Sequence, residues 1–162
     1  MPLWALTAAF WLHMAATVVW IGGLFFQAVI LPPALRHVSD RGQFLETLRR
    51  RFQPLAWLSL AVLIATGLTQ MAANPNYEGL LSFANPWSRA ILAKHLTIGL
   101  MIGVAAFQTW VIQPRLARMA MLEAHTQRAV DGPLLQQHER MARLNLALGI
   151  AVLALTAIAR TV

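Results

Sequence analysis

Cysteine is absent from this 162-residue chain, which excludes disulfides, thiolate metal sites and cysteine nucleophiles. Charge is scarce as well: 12% of the residues are charged, where a soluble domain averages about 25%. No internal repeat and no low-complexity tract breaks the chain, so residues 1–162 read as one domain. What is abundant is apolar surface, with 58% of the residues hydrophobic. A water-soluble core this small has no room for so much of it. Lipid, taken as the solvent, removes the difficulty.

Four runs are long enough to cross a bilayer, which takes about 20 helical residues. They cover residues 3–31, 55–73, 90–112 and about 140–160, the last extended by the chain from about Pro133. The first run lacks a basic start and a small-residue cleavage pattern, so it reads as a retained span and not as a signal peptide. The expected fold is an all-α, integral membrane four-helix bundle.

The net charge of +7 would suggest nucleic acid in a soluble protein. Its distribution says otherwise. Arg36, Arg41, Arg49, Arg50 and Arg51 lie in the first connection, and Arg115, Arg118, Arg128, Arg140 and Arg143 in the third. The second connection offers Arg89 at its membrane end, and the C-terminus offers Arg160. The positive-inside rule therefore predicts cytoplasmic Arg-rich connections and external termini, as in a bacterial inner membrane. The charge reports topology, and the expected partner is the lipid bilayer rather than nucleic acid.

Among the connections, residues 40–52 read as a short amphipathic helix lying at the cytoplasmic interface, with Phe44, Leu45, Leu48 and Phe52 on one side. The third helix is expected to continue until Asp131-Gly132-Pro133. Asn74-Pro75 and Asn85-Pro86 are turn formers, and Tyr77 and Trp87 suit the headgroup level.

Ionisable groups inside a membrane are costly and mark functional sites. His13, Lys94 and His95 are such groups. Counted from the outer ends of their helices, His13 lies roughly 15 Å and His95 roughly 10 Å deep. Two histidines at comparable depth on different helices suit the two axial positions of a haem iron, or a pair of imidazoles on a transition metal. Gly99 and Gly103 would leave room for a porphyrin face, although this spacing also serves close helix packing. Trp20 would stack near the porphyrin edge, and Lys94 or Arg89 would meet a propionate. Lys94 also has the option of reaching the headgroups along its apolar stem. The seven methionines are scattered, which fits packing better than a copper relay. His37, His125 and His138 fall among the cytoplasmic arginines and are expected to be solvated.

Several short motifs are familiar. Leu12-His13, Trp20-Ile21-Gly22-Gly23-Leu24-Phe25-Phe26 and Pro32 resemble the first helix of the CopD-like (copper-resistance D) membrane family. Arg51-Phe52, Pro54 and Ala65-Thr66-Gly67-Leu68 resemble its second helix. Asn85-Pro86-Trp87-Ser88-Arg89, Leu92 and Lys94 resemble the entry to its third, and Pro114-Arg115 its cytoplasmic end. The chain is also similar to the HemJ-type protoporphyrinogen oxidases, which bind haem b; His13 and Lys94 would match their functional His and Lys. Where those proteins tend to carry Tyr and His, this chain has Phe107-Gln108-Thr109-Trp110. The resemblance thus extends to haem binding more than to porphyrinogen oxidation.

Three functions follow as expectations. The first is a haem b protein with His13 and His95 as iron ligands, transferring electrons or oxidising a quinol-like or other small reductant. The second is copper transport across the membrane, dependent on His13 and Met14, and the third is a non-catalytic subunit of a membrane complex. Assembly into a homo-oligomer is compatible with all three.

Overall fold

The computed structural model describes residues 2–35, 37–38, 41–75, 77, 79, 85–126 and 132–161, without the side chains at 41–42 and 120–126. Every regular element among them is helical: α1 (Leu3–Phe25), α2 (Leu31–Leu35), α3 (Arg41–Ala72), α4 (Pro86–Phe107), α5 (Gln113–Thr126) and α6 (Gly132–Thr161). Single π-helical turns, Phe26–Ile30 and Gln108–Ile112, join α1 to α2 and α4 to α5. Four rods result, spanning Leu3–Leu35, Gln43–Ala72, Pro86–Met119 and Gly132–Thr161, each long and apolar enough to cross a membrane. Helices are the natural choice there, because each backbone N–H finds its acceptor within the segment. The chain is an integral membrane four-helix bundle.

The rods pack in two antiparallel pairs, α1 with α3 and α4 with α6, and α1 also meets α6. One end of the bundle gathers the termini. Met71, Trp87, Ala90 and Ala159 form a buried cluster there, and the Arg160 guanidinium lies 5.6 Å from the centre of the Phe10 ring. At the opposite end, Phe26 stacks on Phe52 at 5.3 Å, and Glu46 binds Arg49 at 2.7 Å and Arg50 at 2.8 Å. Between the ends, Trp20, Leu24, Leu60 and Met101 form the central core. Elsewhere large apolar side chains such as Val18, Leu58, Leu96 and Ile150 point outward, as lipid contact requires.

Local sequence explains the start of α4. Asn85 caps it, its side chain accepting from the Ser88 N–H at 2.7 Å, and Pro86 occupies the first turn, where its missing N–H costs nothing. Trp87 lies at the termini end but turns into the buried cluster, while Tyr77 is exposed.

One boundary differs from the sequence expectation, and two run as expected as far as the described residues go. Residues 41–52 are no separate surface helix: α3 runs unbroken from Arg41 to Ala72 with Pro54 inside it. Proline removes one backbone bond, and the Phe26–Phe52 stack holds the arm beyond it against the first rod. The fourth rod begins at Gly132, next to the Pro133 from which the sequence extends the last span. The third continues to Thr126, and the Asp131 part of its stop signal lies outside the described residues.

Candidate functional site

His13 is half-buried on α1, facing α3. Its Nδ1 lies 2.8 Å from the Thr66 hydroxyl, whose own hydrogen is donated to the Val62 carbonyl at 2.6 Å. The Thr66 oxygen must therefore accept, so Nδ1 carries the hydrogen and Nε2 keeps its lone pair. Gly67 permits the approach: a Cβ there would stand 3.4 Å from His13 Cε1. His95 reaches the same state by a local route. Its Nδ1 lies 2.7 Å from the Ile91 carbonyl, which can only accept. Among the described residues neither Nε2 has a hydrogen-bond partner.

Lys94 and Arg160 are the charged groups whose fields reach the His13 ring. Neither forms an ion pair among the described residues, where the salt bridges involve only Glu46 and Glu139. The structure thus brings together His13, Thr66 and Gly67 from the first two rods, while Arg160 of the fourth lies over Phe10. No hydrogen bond joins His13 to His95 among the described residues.

The remaining expected residues are spread out. Gly99 and Gly103 lie on the exposed face of α4 beside Leu96 and Leu100, and no atom comes within 4 Å of a Cβ built at either. Arg89 is exposed in the first turn of α4. Trp20 is buried in the central core. Met14 is 69% exposed and turned away from the bundle interior, whereas Met71 and Met101 are buried inside it. No three His, Asp or Glu side chains converge among the described residues.

One site was not foreseen. A cavity of about 160 Å³ lies toward the arginine end, its polar lining including Trp20, Gln27, Gln108, Gln113, His138 and Asn145. His138 was expected to be solvated, yet it is buried there. The first turns of α6 pack against the π turn of the third rod, where Gln108 Nε2 donates to the His138 carbonyl at 3.3 Å. His37 is exposed as expected, and the side chain of His125 lies outside the described residues. Gln27 and Gln108 were visible in the sequence as polar interruptions of the spans; Asn145 carried the same signal. Neither His13 nor His95 lines this cavity.

A comparison with protein-family models finds copper resistance protein D over residues 46–159, well over half of the chain. No curated protein and no solved structure is similar enough to the chain to give a match. The matched region carries the Thr66-Gly67 seat of His13, Lys94, His95 and most of the cavity wall. No comparison shows a similarity to the HemJ-type oxidases. Four membrane-spanning rods and this match together place the chain in the CopD family, as an integral membrane protein related to copper resistance.

Proposed function

We propose that the chain carries copper across a bacterial inner membrane, with its Arg-rich connections in the cytoplasm. The observation that carries this reading is the state of the His13 imidazole. Its Nδ1–H is engaged by Thr66, and its Nε2, inside a membrane span, makes no hydrogen bond among the described residues, the form in which histidine ligates a metal. Imidazole and thioether donors suit copper. Along α3, Thr66 stands between Leu60, which packs on buried Met101, and Met71, buried nearer the termini. His13 would hold the ion midway, with the two thioethers as soft donors on either side. Lys94 and Arg160 make the His13 position electropositive and so weaken its hold on a cation. Conduction needs such weak holding, because an ion that binds too tightly does not leave.

Purified protein in proteoliposomes, supplied with Cu(I) under reducing conditions, tests the reading. His13→Ala is expected to abolish uptake. Lys94→Gln, which removes one cationic charge from the spans, should tighten copper binding on the order of tenfold. Uptake equal to that of empty liposomes, or binding indifferent to both changes, overturns it.

A second reading, haem b, is favoured by the cationic pair itself. Lys94 and Arg160 beside a histidine with a bare Nε2 suit a ligand bearing carboxylates, and haem propionates are such groups. Bound haem would supply one-electron chemistry. His13 and His95, whose Nε2 atoms make no hydrogen bond among the described residues, are the groups that would hold its iron. Lys94→Gln separates the two readings by sign, since it should weaken haem retention, measured as Soret absorbance, while tightening copper.

A further inference from the structure

The cavity toward the arginine end takes polar residues from every rod. Gln27 comes from the first, Gln53 from the second, Thr109 from the third and His138 from the fourth. The first three are half-buried. Hydrocarbon offers such side chains no hydrogen bond, so at membrane depth they face a protein interior or a water-filled space. Gln27 and Thr109 also sit on the two π turns, and such turns occur frequently at functional sites. Room is sufficient. The cavity measures about 160 Å³, on the order of ten times the least space that one water needs.

Its two ends differ. Toward the arginines the lining reaches Glu46 and Arg49, whose side chains are still 28% and 36% exposed. Their ion pair at 2.7 Å offsets the arginine charge there. Toward the termini the lining includes Trp20 and Leu24, which form the central core with Leu60 and Met101. Leu60 and Met101 lie about one helical turn beyond the lining residues Trp57 and Ala105. Each of the four core residues is no more than 7% exposed. On α3, Thr66 stands roughly 9 Å further along the axis than Leu60. One closed apolar layer thus separates the cavity from the seat of His13.

We propose that the cavity is a water-filled inner vestibule, open at the arginine end, and that the Trp20, Leu24, Leu60 and Met101 layer is the gate closing it from His13. An apolar layer of this kind stops ions by excluding water, with no charged group in it. The vestibule holds water and, when the layer parts, receives a cation released from His13. That last step rests on the copper reading; the wet cavity and its closed floor do not.

The chain has no cysteine, so single cysteines in the full chain can be read with a cationic, membrane-impermeant methanethiosulfonate. The reagent modifies thiolates, which form in water and not in lipid or a packed core. Intact spheroplasts and inside-out vesicles present the two faces separately, and Arg51→Cys, at an exposed position of the arginine end, marks which face is which. Gln27→Cys and Thr109→Cys are expected to react from the same face as Arg51→Cys and only from it, within about tenfold of its rate. Met101→Cys should react at least about tenfold more slowly than either from both faces. The two cavity variants stand on different rods, so if one misfolds, as seen by gel filtration, the other decides. Reaction of neither folded cavity variant, or reaction from the opposite face, overturns the vestibule. Met101→Cys labelling as fast as the cavity positions overturns the gate. No copper enters the measurement, so its failure leaves the copper reading standing, and a failure of copper uptake leaves the labelling result intact.

Discussion

Thr66 governs which nitrogen of His13 is available. Its hydroxyl is spent on the Val62 carbonyl at 2.6 Å, so it can only accept from Nδ1. Thr66→Val keeps the shape and removes the acceptor. It should lower copper affinity about 10- to 100-fold, the usual effect of losing a group that orients a ligating histidine. Thr66→Ser should restore most of it, and a copper titration of the detergent-purified variants checks both. Gly67 matters for a different reason. A Cβ there would only touch His13 Cε1, at 3.4 Å, but the larger side chain of valine would drive the ring off its hydroxyl. The family-like Ala65-Thr66-Gly67-Leu68 run was legible in the sequence; its role as the seat of His13 was not, because 53 residues separate the partners.

Helix contacts set the next scale. Gly149 of α6 packs closely against α1: a Cβ added there would come 2.9 Å from Ile21 Cδ1 and 3.3 Å from Leu24 Cδ1. Both atoms are the ends of flexible side chains, so Gly149→Ala should cost little. Gly149→Val should destabilise the bundle by about 1–3 kcal/mol through overpacking, measured as a lower midpoint of unfolding in mixed micelles. The prominent Gly99 and Gly103 pair, by contrast, lies on an open face of α4. Spacing alone cannot tell which glycine meets a neighbour, since that depends on how each rod is rotated about its axis. The continuous α3 teaches a related lesson. Pro54 marked a boundary in the sequence, yet the Phe26–Phe52 stack and the cavity-lining Leu45 and Leu48 keep the preceding turns on the bundle.

For the whole molecule, the arginine asymmetry predicts an orientation, and the absence of cysteine makes single-cysteine labelling clean. Tyr77→Cys, in the second connection, should react with a membrane-impermeant maleimide added to intact spheroplasts. Arg51→Cys, at an exposed position of the arginine end, should react only after the membrane is opened. The reverse pattern would place the termini in the cytoplasm.

Four spans, their approximate limits and an all-helical bundle were determined by the sequence alone, because a bilayer demands about 20 apolar residues per crossing and an internally bonded backbone. The arginines added the expected topology, and the rarity of intramembrane ionisable groups singled out His13, Lys94 and His95. Only the tertiary structure decided what each of them meets. It joined His13 to Thr66 and set Lys94 and Arg160 in its field, while His95 bonds within its own helix. It also turned Met14 outward and gathered Asn145, Gln113 and Trp20 around one cavity. These outcomes depend on the rotation and vertical offset of one rod against another. Those are set by the sum of many small packing contacts, which a hydrophobic run with almost no amphipathic bias does not record.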